Sequence, residues 1–77
     1  MGHMSRRDSV LVAFGRNVRR RREENDLTQE ALAEKAALDR TYISDIERGS
    51  RNLSISSIVR IAKALRTSAA ELCRDIH

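Results

Sequence analysis

The stretch Gln29–Arg48, QEALAEKAALDRTYISDIER, decides the fold. Thr28 is a good N-cap residue, so the first helix is predicted over Gln29–Ala36. Asp39 can open a second helix, and Gly49 can close it, which predicts Arg40–Arg48. Leu32, Ala33, Leu38, Ile43 and Ile46 supply the apolar positions. Ala33 is small where two helices joined by so short a turn must cross closely. Ile43 and Ile46 are three apart and share one face of the second helix. A small crossing residue, a tight turn and paired aliphatics together describe a helix-turn-helix.

That motif serves to place its second helix in the DNA major groove. Advancing about 100° per residue gathers Asp39, Ile43 and Ile46 on one side of the helix, with Glu47 at the edge. Thr41, Ser44, Asp45 and Arg48 fall on the opposite side, flanked by Arg40. Every side chain on this outer face donates or accepts hydrogen bonds. Arg suits guanine, Thr and Ser suit phosphate or base edges, and Asp can accept from cytosine. Any solvated helix is polar on one side, so the face alone does not establish DNA binding. The spacing within Gln29–Arg48 and the positive charge around it turn the reading toward DNA.

Five helices account for the chain, an all-α architecture. The first is predicted over Asp8–Asn25, with Leu11, Phe14 and Val18 as its apolar stripe. The fourth is predicted over Ile55–Leu65, capped by Ser54 and burying Ile58, Ile61, Ala62 and Leu65. The fifth is predicted over Ala69–Ile76, with Ser68 and Glu71 as a capping box.

The chain has 77 residues and a net charge of +4 from 15 basic and 11 acidic side chains. Its length suits one domain with a modest core, and the charge suits a polyanionic partner. Phe14 and Tyr42 are the only aromatics, so the core falls to Leu, Ile, Val and Ala, and dimerisation would add stability. Met1–Met4 reads as an expression-tag scar, leaving residues 5–77 as a single helix-turn-helix domain. No signal peptide and no membrane-length apolar run is visible, which predicts a cytoplasmic protein without a membrane partner. The single Cys73 excludes an intrachain disulfide and reads as a small buried hydrophobe. His3 lies in the scar and His77 is the last residue; no metal cluster, phosphate loop or nucleophile–base pair appears. No enzyme, cofactor or small-molecule ligand is therefore expected.

The segment Phe14–Cys73 resembles the lambda-repressor-like helix-turn-helix domains, the Cro/repressor or XRE family. The matching runs are Phe14-Gly15, Leu27-Thr28-Gln29-Glu30, Leu32-Ala33-Glu34-Lys35-Ala36, Tyr42-Ile43-Ser44, Ile46-Glu47-Arg48-Gly49 and Ile61-Ala62-Lys63-Ala64-Leu65. The runs Leu38–Ser44 and Ile46–Leu53 are similar to a narrower group, the controller proteins of restriction–modification systems. The resemblance implies a five-helix DNA-binding domain acting as a symmetric dimer on a palindromic operator. Two recognition helices would then lie about 34 Å apart on one DNA face. It also implies a partly buried ion pair between Arg22 and Glu47 that holds the recognition helix. Arg19, Arg20 and Arg21 read as a solvated face, and Arg21 replaces the apolar residue usual in relatives. Asp26 and Ala37 stand at helix ends where the family resemblance implies glycine in a left-handed conformation. Such a conformation costs an alanine ~1 kcal/mol, which predicts strain or a shifted turn at Ala37.

The contact roles divide as follows. Arg40 and Thr41, the first exposed residues of the recognition helix, are candidates for base contact, and the resemblance implies the same. Gln29 starts the preceding helix, where its side chain is predicted to bond a phosphate. Ser44 and Arg48 are further phosphate candidates. Tyr42 points toward the helix flank, where it either packs on the fourth helix or touches the DNA backbone. In the controller-like group the residue matching Arg51 reaches a base, and the one matching Asn52 a phosphate. Asp45 either reads a cytosine or orients Arg40 or Arg48 while repelling phosphate. Leu72, Cys73 and Ile76 on the fifth helix are the candidate dimer interface, with packing onto the fourth helix as the alternative. Three functions fit this pattern: a controller that regulates its own operon, a phage- or plasmid-type repressor, and an antitoxin-like protein acting through a protein partner.

Overall fold

The computed structural model describes residues 5–76, so Met1–Met4, the expected tag scar, and His77 lie outside the described residues. Five helices follow one another: α1 Arg6–Glu24, α2 Gln29–Ala36, α3 Arg40–Arg48, α4 Ile55–Ala64 and α5 Ala69–Leu72. No strand occurs among the described residues. α1 starts two residues before the expected Asp8, because Ser5 is its N-cap: the Ser5 hydroxyl accepts the Asp8 N–H at 3.0 Å. Asp8 then lies in the first turn, where a carboxylate complements the helix dipole. Thr28, Asp39 and Ser54 cap α2, α3 and α4 in the same manner, at the expected positions.

α1 to α4 close alike. A left-handed residue follows each helix, and the next N–H returns to a carbonyl five residues back. The pairs are Leu27 to Arg22, Leu38 to Ala33, Ser50 to Asp45 and Thr67 to Ala62, all at 2.9–3.1 Å. The left-handed residues are Asp26, Ala37, Gly49 and Arg66, with φ between 56° and 73°. This is the Schellman closure, and only Gly49 meets it without a Cβ penalty. Ala37 keeps its turn in place and carries the strain, rather than shifting it. Gly49 is needed for space as well as for φ: a Cβ there would lie 2.6 Å from the Val12 Cα.

The core consists of Phe14, Val18, Leu32, Ala33, Ala36, Ile43, Ile46, Ile61, Ala62, Leu65 and Leu72. α1 packs against α3 and α5, while α2 packs against α3 and α4. α3 therefore sits between α1 and α2, with its inner side covered and its outer side free. The α1–α3 crossing is close because Gly15 has no side chain; a Cβ there would lie 2.8 Å from the Glu47 carbonyl oxygen. Leu11 and Ile58 are half-buried at the margins of their predicted stripes.

α5 departs most from expectation. It ends at Leu72, not Ile76. The cause is a side chain on α1: the buried Asn17 Nδ2 donates to the carbonyls of Leu72 at 2.8 Å and Arg74 at 3.0 Å. These carbonyls bond Asn17, and Asp75 turns left-handed at φ 61°. Leu72 is fully buried in the core, so it does not belong to an exposed dimer face. Cys73 is exposed, contrary to its reading as a buried hydrophobe, and Ile76 packs partly buried against the core. Shortening the helix rotates these three residues off a common stripe. The capping box is half formed: Ser68 Oγ accepts the Glu71 N–H, while the Glu71 carboxylate turns to Arg21 and Arg74. The large apolar side chains left exposed are Ile55 and Val59, one turn apart on α4.

Candidate nucleic-acid interface

α3 is fixed from its inner side. Ile43 and Ile46 are buried among α1 and α2. Arg22 on α1 grips Glu47 on α3 through two parallel bonds, Nε to Oε2 at 2.7 Å and Nη2 to Oε1 at 3.0 Å. Its third donor, Nη1, reaches the Leu27 carbonyl at 2.8 Å. The side chains are 12% and 4% exposed, so this is a nearly dry bidentate pair. The hydrogen bond to Glu47 raises the Arg22 pKa above its ordinary value. Burial opposes that rise, and the charges of Glu47 and Glu23 support it. An arginine is charged across the neutral range at its ordinary pKa, and the rise only extends that range further into alkali.

Gln29 completes this cluster. Its Nε2 donates to Glu47 Oε1 at 3.1 Å, which the sequence reading missed. One amide hydrogen is thereby engaged within the protein. The second amide hydrogen remains to serve a phosphate contact, which the carbonyl oxygen, an acceptor, cannot make. Sequence could have raised this pairing only by placing Gln29 and Glu47 next to the same arginine.

The outer side of α3 is open. Arg40 and Thr41 are exposed at its first turn. The Thr41 N–H is occupied by the Asp39 cap at 2.8 Å. Asp45 pairs with Arg48 one turn on, and with Arg51 in the following loop at 3.5 Å. Of its two expected partners, Arg48 is met and Arg40 is not among these contacts. Arg48 also donates to the Ser44 hydroxyl at 3.0 Å. The Arg51 guanidinium lies over the Tyr42 ring, 4.8 Å from its centroid. The Tyr42 hydroxyl in turn donates to Ser57 Oγ at 3.2 Å, so Tyr42 packs against α4, one of its two expected positions. Asn52 is exposed beside Arg51.

The arrangement brings Arg40, Thr41, Ser44, Asp45, Arg48, Arg51 and Asn52 to one surface built on α3 and its C-terminal loop. That surface is carried on one helix and is rich in guanidinium groups, which suits a major groove. Among the described residues, no group of three or more His, Cys, Asp or Glu side chains could hold a metal ion. No described helix is long and apolar enough to cross a membrane.

Comparison with known proteins gives consistent matches. Residues 18–72 match the helix-turn-helix family profile. The chain is 44% identical over 66 residues to the control protein C.BamHI of Bacillus amyloliquefaciens, covering 84% of this chain and 82% of that one. Among solved structures, the restriction-modification controller protein C.AhdI of Aeromonas hydrophila superposes with a TM-score of 0.79 at 44% identity. The match covers 80% of this chain and 94% of C.AhdI. The controller protein C.Esp1396I, solved as a tetramer with its natural 35 base-pair operator, superposes with a TM-score of 0.75 at 46% identity. That match covers 82% of this chain and 83% of C.Esp1396I.

Proposed function

The chain belongs to the helix-turn-helix family of DNA-binding transcription regulators, and from that premise we propose that it is a restriction–modification controller protein. In this reading residues 5–77 form one domain that acts as a homodimer in the cytoplasm and binds a palindromic operator upstream of its own gene. The observation that carries it is the pinned α3, buried on one side by Arg22–Glu47 and presenting Arg40, Thr41 and Arg51 on the other.

The geometry supports the following roles. Arg40 and Arg51 have free guanidinium edges for guanine, and Thr41 offers a hydroxyl and a methyl to base edges. Arg48, Ser44, Asn52 and the remaining Gln29 donor hold phosphates, and the Tyr42 ring supports Arg51 from beneath. A second copy covers Ile55 and Val59 of α4, the exposed apolar pair, in place of the inward-facing Leu72. Binding releases counterions, so affinity falls steeply as salt rises.

The test is footprinting and mobility shift on the DNA upstream of the chain's own gene, with Arg40→Ala and Arg51→Ala alongside. Protection of a two-fold symmetric site, lost in both variants, is the expected result. Absence of protection at every protein concentration refutes operator binding and leaves a protein partner as the alternative.

A further inference from the structure

A continuous set of contacts runs across the open side of α3. The Ser54 hydroxyl donates to Ser57 at 3.0 Å, and the Tyr42 hydroxyl donates to the same Ser57 oxygen. The Tyr42 ring carries the Arg51 guanidinium. Asp45 pairs with Arg51 through one carboxylate oxygen and with Arg48 through the other. Arg48 closes the set on Ser44. A single carboxylate thus binds two cations that together outline the surface facing DNA. The other acidic residue of α3, Glu47, is turned inward and spent on Arg22 and Gln29.

We propose that Asp45 is a specificity-determining positioning residue: it restrains Arg48 and Arg51 and so weakens binding to non-operator DNA far more than binding to the operator. The inference rests on the reading of α3 as a recognition helix. Non-operator binding is almost wholly electrostatic and depends on cations swinging freely onto phosphates. Arg48 and Arg51 must leave Asp45 to do so, and the approaching phosphate is repelled by the carboxylate they leave. On the operator, the restraint on Arg51 is useful and offsets the cost of freeing Arg48 for its phosphate. Arg51, held between Asp45 and the Tyr42 ring, loses little side-chain entropy when a base edge takes its remaining donors.

The test compares the wild-type chain and Asp45→Asn on two probes, the upstream duplex of the chain's own gene and a GC-repeat duplex of equal length. Asparagine keeps the shape and removes the charge. The GC-repeat Kd is expected to tighten about tenfold, with a salt slope steeper by about one, the signature of an added phosphate contact. The upstream-duplex Kd is expected to change less than about threefold, so the ratio between probes collapses by a similar factor. In an Arg48→Ala background the gain on the GC-repeat duplex should shrink, because Asp45 acts through the arginine. Equal changes on both probes, or an undiminished gain without Arg48, would reduce Asp45 to simple repulsion and overturn the proposal. Thermal melting of Asp45→Asn separates a folding defect from either result. A wild-type chain without preference for the upstream duplex overturns the operator reading itself, and this assignment with it.

Discussion

The two faces of α3 carry the same pairing, arginine against carboxylate, and put it to opposite uses. On the inner face, Arg22 and Glu47 are 12% and 4% exposed, bonded twice to each other, and further tied to Leu27 and Gln29. On the outer face, Arg48 and Arg51 are 64% and 52% exposed, and share Asp45. Removing one partner from a dry pair strands a charge, whereas water replaces the partner in a wet one. Burial therefore makes the first pair a fastening for the recognition helix. Exposure leaves the second free to exchange its carboxylate for DNA.

The sharpest way to break this contrast is to truncate one arginine from each face. Arg22→Ala should cost about 3–5 kcal/mol by leaving Glu47 buried without its cation. In a domain of this size that lowers the melting temperature by roughly 15 °C or more. Arg48→Ala, like Arg20→Ala on the solvated side of α1, should stay within about 1 kcal/mol. Equal melting temperatures for Arg22→Ala and Arg48→Ala would abolish the distinction between the faces.

A smaller effect comes from the seam beside the buried pair. Gly15→Ala pushes a methyl against the backbone of Ile46 and Glu47 and must force α1 and α3 apart. A cost of about 1–3 kcal/mol is expected. The Arg22–Glu47 bonds should stretch with it, so operator affinity should fall although residue 15 touches no DNA. Chemical denaturation and mobility shift on one preparation check both effects. An unchanged midpoint would mean that the seam is looser than these contacts.

The smallest effect has the opposite sign. Ala37 sits in the turn that sets the angle between α2 and α3, at φ 56° and ψ 45°. Ala37→Gly removes the left-handed Cβ penalty and should stabilise the domain by up to about 1 kcal/mol, with operator affinity unchanged. A lower melting temperature would show that the Ala37 methyl contributes packing that outweighs its strain. Gly49 makes the useful counterpart, since space against Val12 as well as φ demands glycine there.

Much of this architecture is legible in local chemistry. Thr28, Asp39 and Gly49 mark the ends of α2 and α3, because caps act through neighbours within one turn. The spacing of Ile43 and Ile46 likewise tells which side of α3 faces inward, because helical geometry fixes it. Less of the surface was legible. Asp45 was expected beside Arg40 or Arg48, and it meets Arg48 and Arg51. The Arg51 contact depends on how the loop after Gly49 returns, and no local rule supplies that path.

The sequence by itself determined the five helices, the helix-turn-helix within them and the charged outer face of α3, since periodicity and capping are short-range properties of the chain. Only the tertiary structure decided where α5 stops, that Leu72 is core while Cys73 is exposed, and that Gln29 joins the Arg22–Glu47 cluster. Each of these depends on a partner distant in sequence. Asn17 bonds the Leu72 carbonyl across 55 positions, and Gln29 bonds Glu47 across 18. In a short terminal helix, one such long-range hydrogen bond outweighs the weak local preference to continue, because so few helical bonds are lost by stopping.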